Sequence, residues 1–181
     1  MNRILLTFSL VVLSFMNSYA QLEANDFKVT AEGRVIWQKI FENNLSFEDL
    51  ANTVKANDKF SDITVTEDKI TFLGAGIRTN PTALGYSRGG TQFYALGDIK
   101  AFFTIVFKPG RYRITAVNIS SIVPVVNILA PRLSGSEYVP IEESVGNGKG
   151  LKKGFIKKES IIMGKALESQ FQIVPSTNND W

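Results

Sequence analysis

The run Phe102-Phe103-Thr104-Ile105-Val106-Phe107-Lys108-Pro109-Gly110-Arg111-Tyr112-Arg113-Ile114-Thr115-Ala116-Val117 decides the fold of this chain. Pro109-Gly110 suits a type II turn, because proline presets φ at the first central position and glycine accepts φ > 0 at the second. Folding the run about that turn sets Phe107 opposite Tyr112, Ile105 opposite Ile114 and Phe103 opposite Ala116. The other face pairs Lys108 with Arg111, Val106 with Arg113, Thr104 with Thr115 and Phe102 with Val117. A slip of one residue would scramble both sets, so the clean partition argues for this register. One face is core and the other is open, largely polar surface.

A second hairpin lies upstream. With Glu67-Asp68 as a two-residue turn, Val65 opposes Ile70 and Ile63 opposes Phe72, while Thr64, Thr66, Lys69 and Thr71 share the other face. Before it, Ser46 is an N-cap candidate with Asp49 three residues on, and Leu45 and Leu50 hold the positions of a hydrophobic staple. Phe47, Leu50, Ala51 and Val54 recur at helical spacing, so a helix ending near Asn57 must bury that face against a sheet. Gly33 opens the strand-like run Arg34 to Phe41 after a polar lead, Gln21 to Glu32. Both alternating sets of that run hold apolar residues, which leaves its buried face open. A second helix is expected from Glu159, with Ile162, Ala166 and Phe171 towards the sheet, until Pro175 stops it.

Two stretches carry no regular pattern. Gly74 to Asp98 reads as a long Gly-rich loop, and such connections are uncommon unless functional or disordered. Residues 121–154 read as irregular, with Pro124, Pro131, Pro140 and the run Gly146 to Gly150. The apolar Ile119–Leu129 is too short, and too interrupted, for a membrane span.

The N-terminus reads as a targeting segment. Arg3 supplies the positive charge, Ile4 to Phe15 the apolar stretch, and Ser18-Tyr19-Ala20 the small residues of a cleavage site. Residues 1–20 are therefore expected to be a signal peptide. Residues 21–181 are expected to form one periplasmic or secreted α+β domain that begins at Gln21.

Composition narrows the chemistry. The 181 residues contain no Cys and no His, with Lys+Arg 20 against Asp+Glu 17. Without cysteine there is no disulfide, thiol nucleophile or lipid-modified N-terminal cysteine, so a lipoprotein is excluded. Without histidine as well, zinc hydrolases, Ser-His-Asp hydrolases and Cys-His proteases are excluded. A net charge of +3, one less once Arg3 is removed, points to no polyanion such as nucleic acid. Gly146-Asn147-Gly148-Lys149-Gly150 lacks the spacing of a phosphate loop, and Gly74-Ala75-Gly76 lacks the third glycine of a dinucleotide fingerprint. Glu67-Asp68 and Glu142-Glu143 are adjacent acids that nothing in the sequence holds across a cleft. No catalytic residue, cofactor or metal ligand is assigned.

Two surfaces are candidates for binding. The first is the open hairpin face, Phe102, Thr104, Val106, Arg113, Thr115 and Val117, where aromatic and basic side chains interleave. The second is the basic cluster Lys149, Lys152, Lys153, Lys157 and Lys158, suited to phosphate, anionic lipid or acidic glycan.

Val35-Ile36-Trp37-Gln38-Lys39-Ile40-Phe41-Glu42, Leu45-Ser46-Phe47-Glu48-Asp49-Leu50, Phe107-Lys108-Pro109-Gly110-Arg111-Tyr112-Arg113 and Gly154-Phe155-Ile156-Lys157-Lys158 together resemble a family of exported bacterial proteins. That family is frequent in Bacteroidota, of unknown function, and has a TBP-like fold. The resemblance spans about residues 33–174. It implies an antiparallel sheet with helices on one face in the order β-α-β-β-β-β-α, and carries over no site residues. Nor does such a fold imply DNA binding, since function belongs to sites. The expectation is an exported, non-catalytic binding or assembly module, its partner a cell-envelope protein or glycan. Two alternatives stay open: a glycan-active enzyme using carboxylate, Tyr or Lys, and an envelope-surface protein using the Lys cluster.

Overall fold

A computed structural model describes residues 24–42, 44–125, 135–146 and 150–172. The expected signal peptide, its Gln21 boundary, Lys149 and Pro175 lie outside these residues.

In chain order the elements are β1 (Phe27–Val29), β2 (Val35–Glu42), α1 (Phe47–Ala56), β3 (Phe60–Val65), β4 (Lys69–Ile77), β5 (Ile99–Lys108), β6 (Arg111–Val125), β7 (Gly135–Pro140), the short α2 (Glu142–Val145) and α3 (Ser160–Ser169). Seven strands form one sheet in the order β1-β2-β6-β5-β4-β3, with β7 pairing β6 as well. Every neighbouring pair is antiparallel. The fold is α+β, and β2-α1-β3-β4-β5-β6-α3 is the expected order. To it are added β1 in front and β7-α2 before the last helix.

The central hairpin has the register read from its sequence, from Lys108↔Arg111 to Phe102↔Val117. Gly110 adopts φ +79°, the conformation the type II turn requires. Helix α1 starts where its cap dictates: Ser46 Oγ accepts from the Asp49 backbone N–H at 3.1 Å. Leu50, Ala51 and Val54 from α1, and Met163, Ala166 and Leu167 from α3, pack on the inner face against Phe72, Phe103, Ile105 and Ile114. Ile162 and Phe171 are buried as expected. Tyr112 ties the C-terminal end of this layer to the hairpin by donating its hydroxyl to the Phe171 carbonyl at 3.0 Å.

Several expectations are corrected. The polar lead contains β1, whose Phe27 is fully buried. Strand β4 runs through Gly74-Ala75-Gly76 to Ile77, so the long connection starts later than Gly74. Those glycines serve the strand. A Cβ on Gly74 would lie 2.6 Å from the Phe103 ring, and Gly76 takes φ +68° where the β4–β5 register shifts. In the first hairpin Val65↔Ile70 and Thr64↔Thr71 hold, but the ladder shifts between Ser61 and Thr64. Ile63 therefore falls in a bulge rather than opposite Phe72, and the shift carries Phe60 into the core, its ring 4.4 Å from Phe72. On this edge strand Val65 stays exposed.

The stretch read as irregular is ordered where it is described. β6 continues to Val125 and β7 pairs with it from Ser120↔Pro140 to Val125↔Gly135. Pro124 is tolerated because β5 pairs β6 only as far as Ser121, so beyond that point the missing N–H leaves no ladder bond unmade on the β5 side. The last helix is entered before Glu159, through a π-helical turn over Phe155–Glu159. Among the described residues no helix is long and apolar enough to cross a membrane.

Candidate binding face

The strand pairings lay the outer face out in rows. At the hairpin tip Glu42, Arg111 and Lys108 stand side by side. The next row is Ile40, Arg113, Val106 and Lys69, and the third is Gln38, Thr115, Thr104 and Thr71. The fourth is Val117, Phe102 and Leu73. Past a bulge at Asn118, which has φ +51°, come Lys100, Ser120 and Pro140. All six residues of the expected face thus occupy three consecutive rows. Both α1 and α3 are on the opposite side, and β7 widens the sheet rather than lying over it.

The face combines exposed apolar and cationic side chains. Ile40 is 56% exposed and Phe102 38%. Gln38 donates to Thr115 Oγ1 at 3.0 Å, which fixes the middle row. Ile40, Val106, Lys108, Arg111 and Arg113 border a depression of about 180 Å³ at the tip end. None of Lys69, Lys108, Arg111 and Arg113 forms an ion pair with a described residue. Lys108 and Arg111 sit directly opposite one another, an arrangement that costs stability in a β-ladder. At the far end a groove of about 840 Å³ runs between Arg34, Leu73, Phe102, Tyr138 and Glu142.

Two lysines of the basic cluster are engaged in local contacts. Lys152 donates to the backbone carbonyls of Glu143 and Ser144 at 3.0 and 2.9 Å. Lys158 donates to the Gly90 carbonyl and lies 3.4 Å from the buried Glu159. Two of these lysines are therefore committed to holding loops in place, while Lys153 and Lys157 face solvent. Beside them the Tyr94 hydroxyl is pushed up to about 12, by burial first and by the Glu159 charge second.

Sequence reasoning missed part of the face. The pairing of Lys108 with Arg111 was legible from the turn. Ile40 was not, because the faces of β2 are told apart only by its partner β6. Arg34, Lys100, Tyr138 and Glu142 were missed because β7 and α2 carry no pattern that announces them.

No family model and no curated protein matches this sequence. Two solved structures are similar to this chain. One is a TBP-like protein from Parabacteroides distasonis, 16% identical, covering 78% of this chain and 90% of its own, with a TM-score of 0.45. The other is a DUF4468 family protein from Bacteroides ovatus, 15% identical, covering 78% and 80%, with a TM-score of 0.36.

Proposed function

We propose that this chain is an exported, non-catalytic binding module that holds an acidic partner of the cell envelope on the open face of its sheet. The carrying observation is the set of four cations, Lys69, Lys108, Arg111 and Arg113, that form no ion pair with a described residue and surround the exposed Ile40 and the half-buried Val106. Although the small net charge of the whole chain argued against a polyanionic partner, the local clustering of cations on this surface supplies charge to select and apolar area to hold. Arg113 is central, since its stem can lie along Val106 and Ile40 while the guanidinium presents a planar fork to a carboxylate or phosphate. Glu42 is the single acid in these rows.

Export rests on the residues of the N-terminal segment, and mass spectrometry of the exported protein is expected to find Gln21 at its start. Retention of Met1 would refute it. The enzyme reading is less favoured by the geometry. Glu142 and Glu143 are neighbours on one short helix rather than opposed across the groove, as a pair flanking a scissile bond must be.

The test is titration with polyglutamate and with polygalacturonate at low and high salt. Saturable binding that weakens with salt is expected, with Arg113→Ala weakening it at least fivefold and leaving the thermal midpoint nearly unchanged, because an exposed charge contributes about 0–1 kcal/mol. Binding equal to wild type in Arg113→Ala refutes the proposal.

A further inference from the structure

We infer that the groove at the β7 end of the open face is a saccharide subsite, so that the envelope partner proposed above is a glycan. This inference rests on that proposal for its setting but on different residues for its argument. The groove of about 840 Å³ lies in the range of small-ligand sites. Two aromatic rings border it, Phe102 and Tyr138, 38% and 39% exposed. Tyr138 is held from one side, the Lys100 ammonium lying 5.6 Å from its ring centroid.

The polar lining is mixed in a way that selects the occupant. Arg34 and Lys100 can only donate, Asn118 and Ser120 do both, and Glu142 accepts. The Glu142 side chain borders the groove, with its Oε2 atom turned inward and without a hydrogen-bond partner among the described residues. A purely anionic ligand would meet Glu142 and Glu143, and a purely cationic one would meet Arg34 and Lys100. A sugar ring resolves this. Its hydroxyls donate to the carboxylate and accept from the cations, and its C–H faces lie on the exposed aromatic rings. Lys100 and Lys108 lie towards opposite ends of β5 on its outer face, about 25 Å apart at ordinary strand rise. A glycan of several residues reaches from the groove to the tip cations, where its acidic groups are neutralised.

The full exported chain is titrated by calorimetry and by saturation-transfer NMR with cellotetraose, chitotetraose and mannotetraose. At least one neutral tetrasaccharide is expected to bind saturably, at least tenfold more weakly to Phe102→Ala, Tyr138→Ala and Glu142→Gln. Phe102→Tyr retains the ring and is expected to retain binding, and Lys55→Ala, on the helix side of the sheet, to bind the neutral probe like wild type. Thermal midpoints of all variants are measured alongside, so that loss of fold is not read as loss of contact. If no tetrasaccharide binds at millimolar concentration while polyglutamate still does, the saccharide subsite is overturned and the acidic-partner proposal stands. If a tetrasaccharide binds but Arg113→Ala leaves polygalacturonate binding unchanged, the subsite stands and the acidic-partner proposal falls. Neutral-probe binding unchanged in all three groove variants overturns the inference.

Discussion

Replacing Gly97 by alanine is expected to loosen the long connection from the sheet at a single point. A Cβ on Gly97 would stand 2.0 Å from the Ile122 carbonyl oxygen, where real Cβ atoms essentially never approach within 3.0 Å. The obstacle is backbone, so no rotamer change relieves it. Relief requires a shift of about 1 Å, by the loop or by the stretch of β6 that pairs β7. Either movement disturbs the neighbouring bond from the Ile122 N–H to the Asp98 carbonyl, 3.0 Å long. Overpacking costs about 1–3 kcal/mol and a lost hydrogen bond about 0.5–1.5 kcal/mol more, so about 2–4 kcal/mol is expected. For a domain of this size that lowers the thermal midpoint by about 5–15 °C. Gly89→Ala is the control, since nothing lies within 4 Å of its Cβ position. Both variants would be melted by circular dichroism and unfolded in urea. Gly97→Ala melting like Gly89→Ala would refute the docking of this connection on β6.

Leu50, 1% exposed, anchors α1 to the sheet; Leu50→Ala is expected to cost about 2–5 kcal/mol in urea unfolding, and a wild-type midpoint would refute the helix-on-sheet packing. Phe107 is only partly buried, with its ring 5.6 Å from Phe47, so Phe107→Ala should cost less than Phe103→Ala in the same assay. Glu168 accepts from Lys39 at 2.9 Å and Lys165 at 2.8 Å. Burial works to raise its carboxyl pKa, but these two ammonium groups outweigh it and leave the pKa below the ordinary 4.5. The stability this supplies is present above pH 4.5 and is lost as pH falls through the folded-state value. Glu168→Gln should therefore flatten the acid side of the stability profile, and an unchanged acid slope would refute the linkage.

What was legible in the sequence is whatever local chemistry constrains. The Pro109-Gly110 turn sets a register because each residue then has one partner, and the alternation on both strands confirms it. The Ser46 cap and the spacing of Leu50, Ala51 and Val54 need only the helix's own geometry. Six residues of the candidate face followed from that register without any tertiary knowledge.

The rest depended on contacts between distant segments. Gly74 and Gly76 resemble loop residues until Phe103 is seen to occupy the space a side chain would take. Pro124 reads as a strand breaker until it is clear that β5 has already ended beside it. Residues Gly135 to Pro140 show no alternation because β7 buries neither face, so its place came only from the hydrogen bonds β6 offers. The groove lined by Arg34, Phe102, Tyr138 and Glu142 joins residues far apart in the chain. No local pattern marks such a site, because each member is an ordinary surface residue until the sheet brings them together.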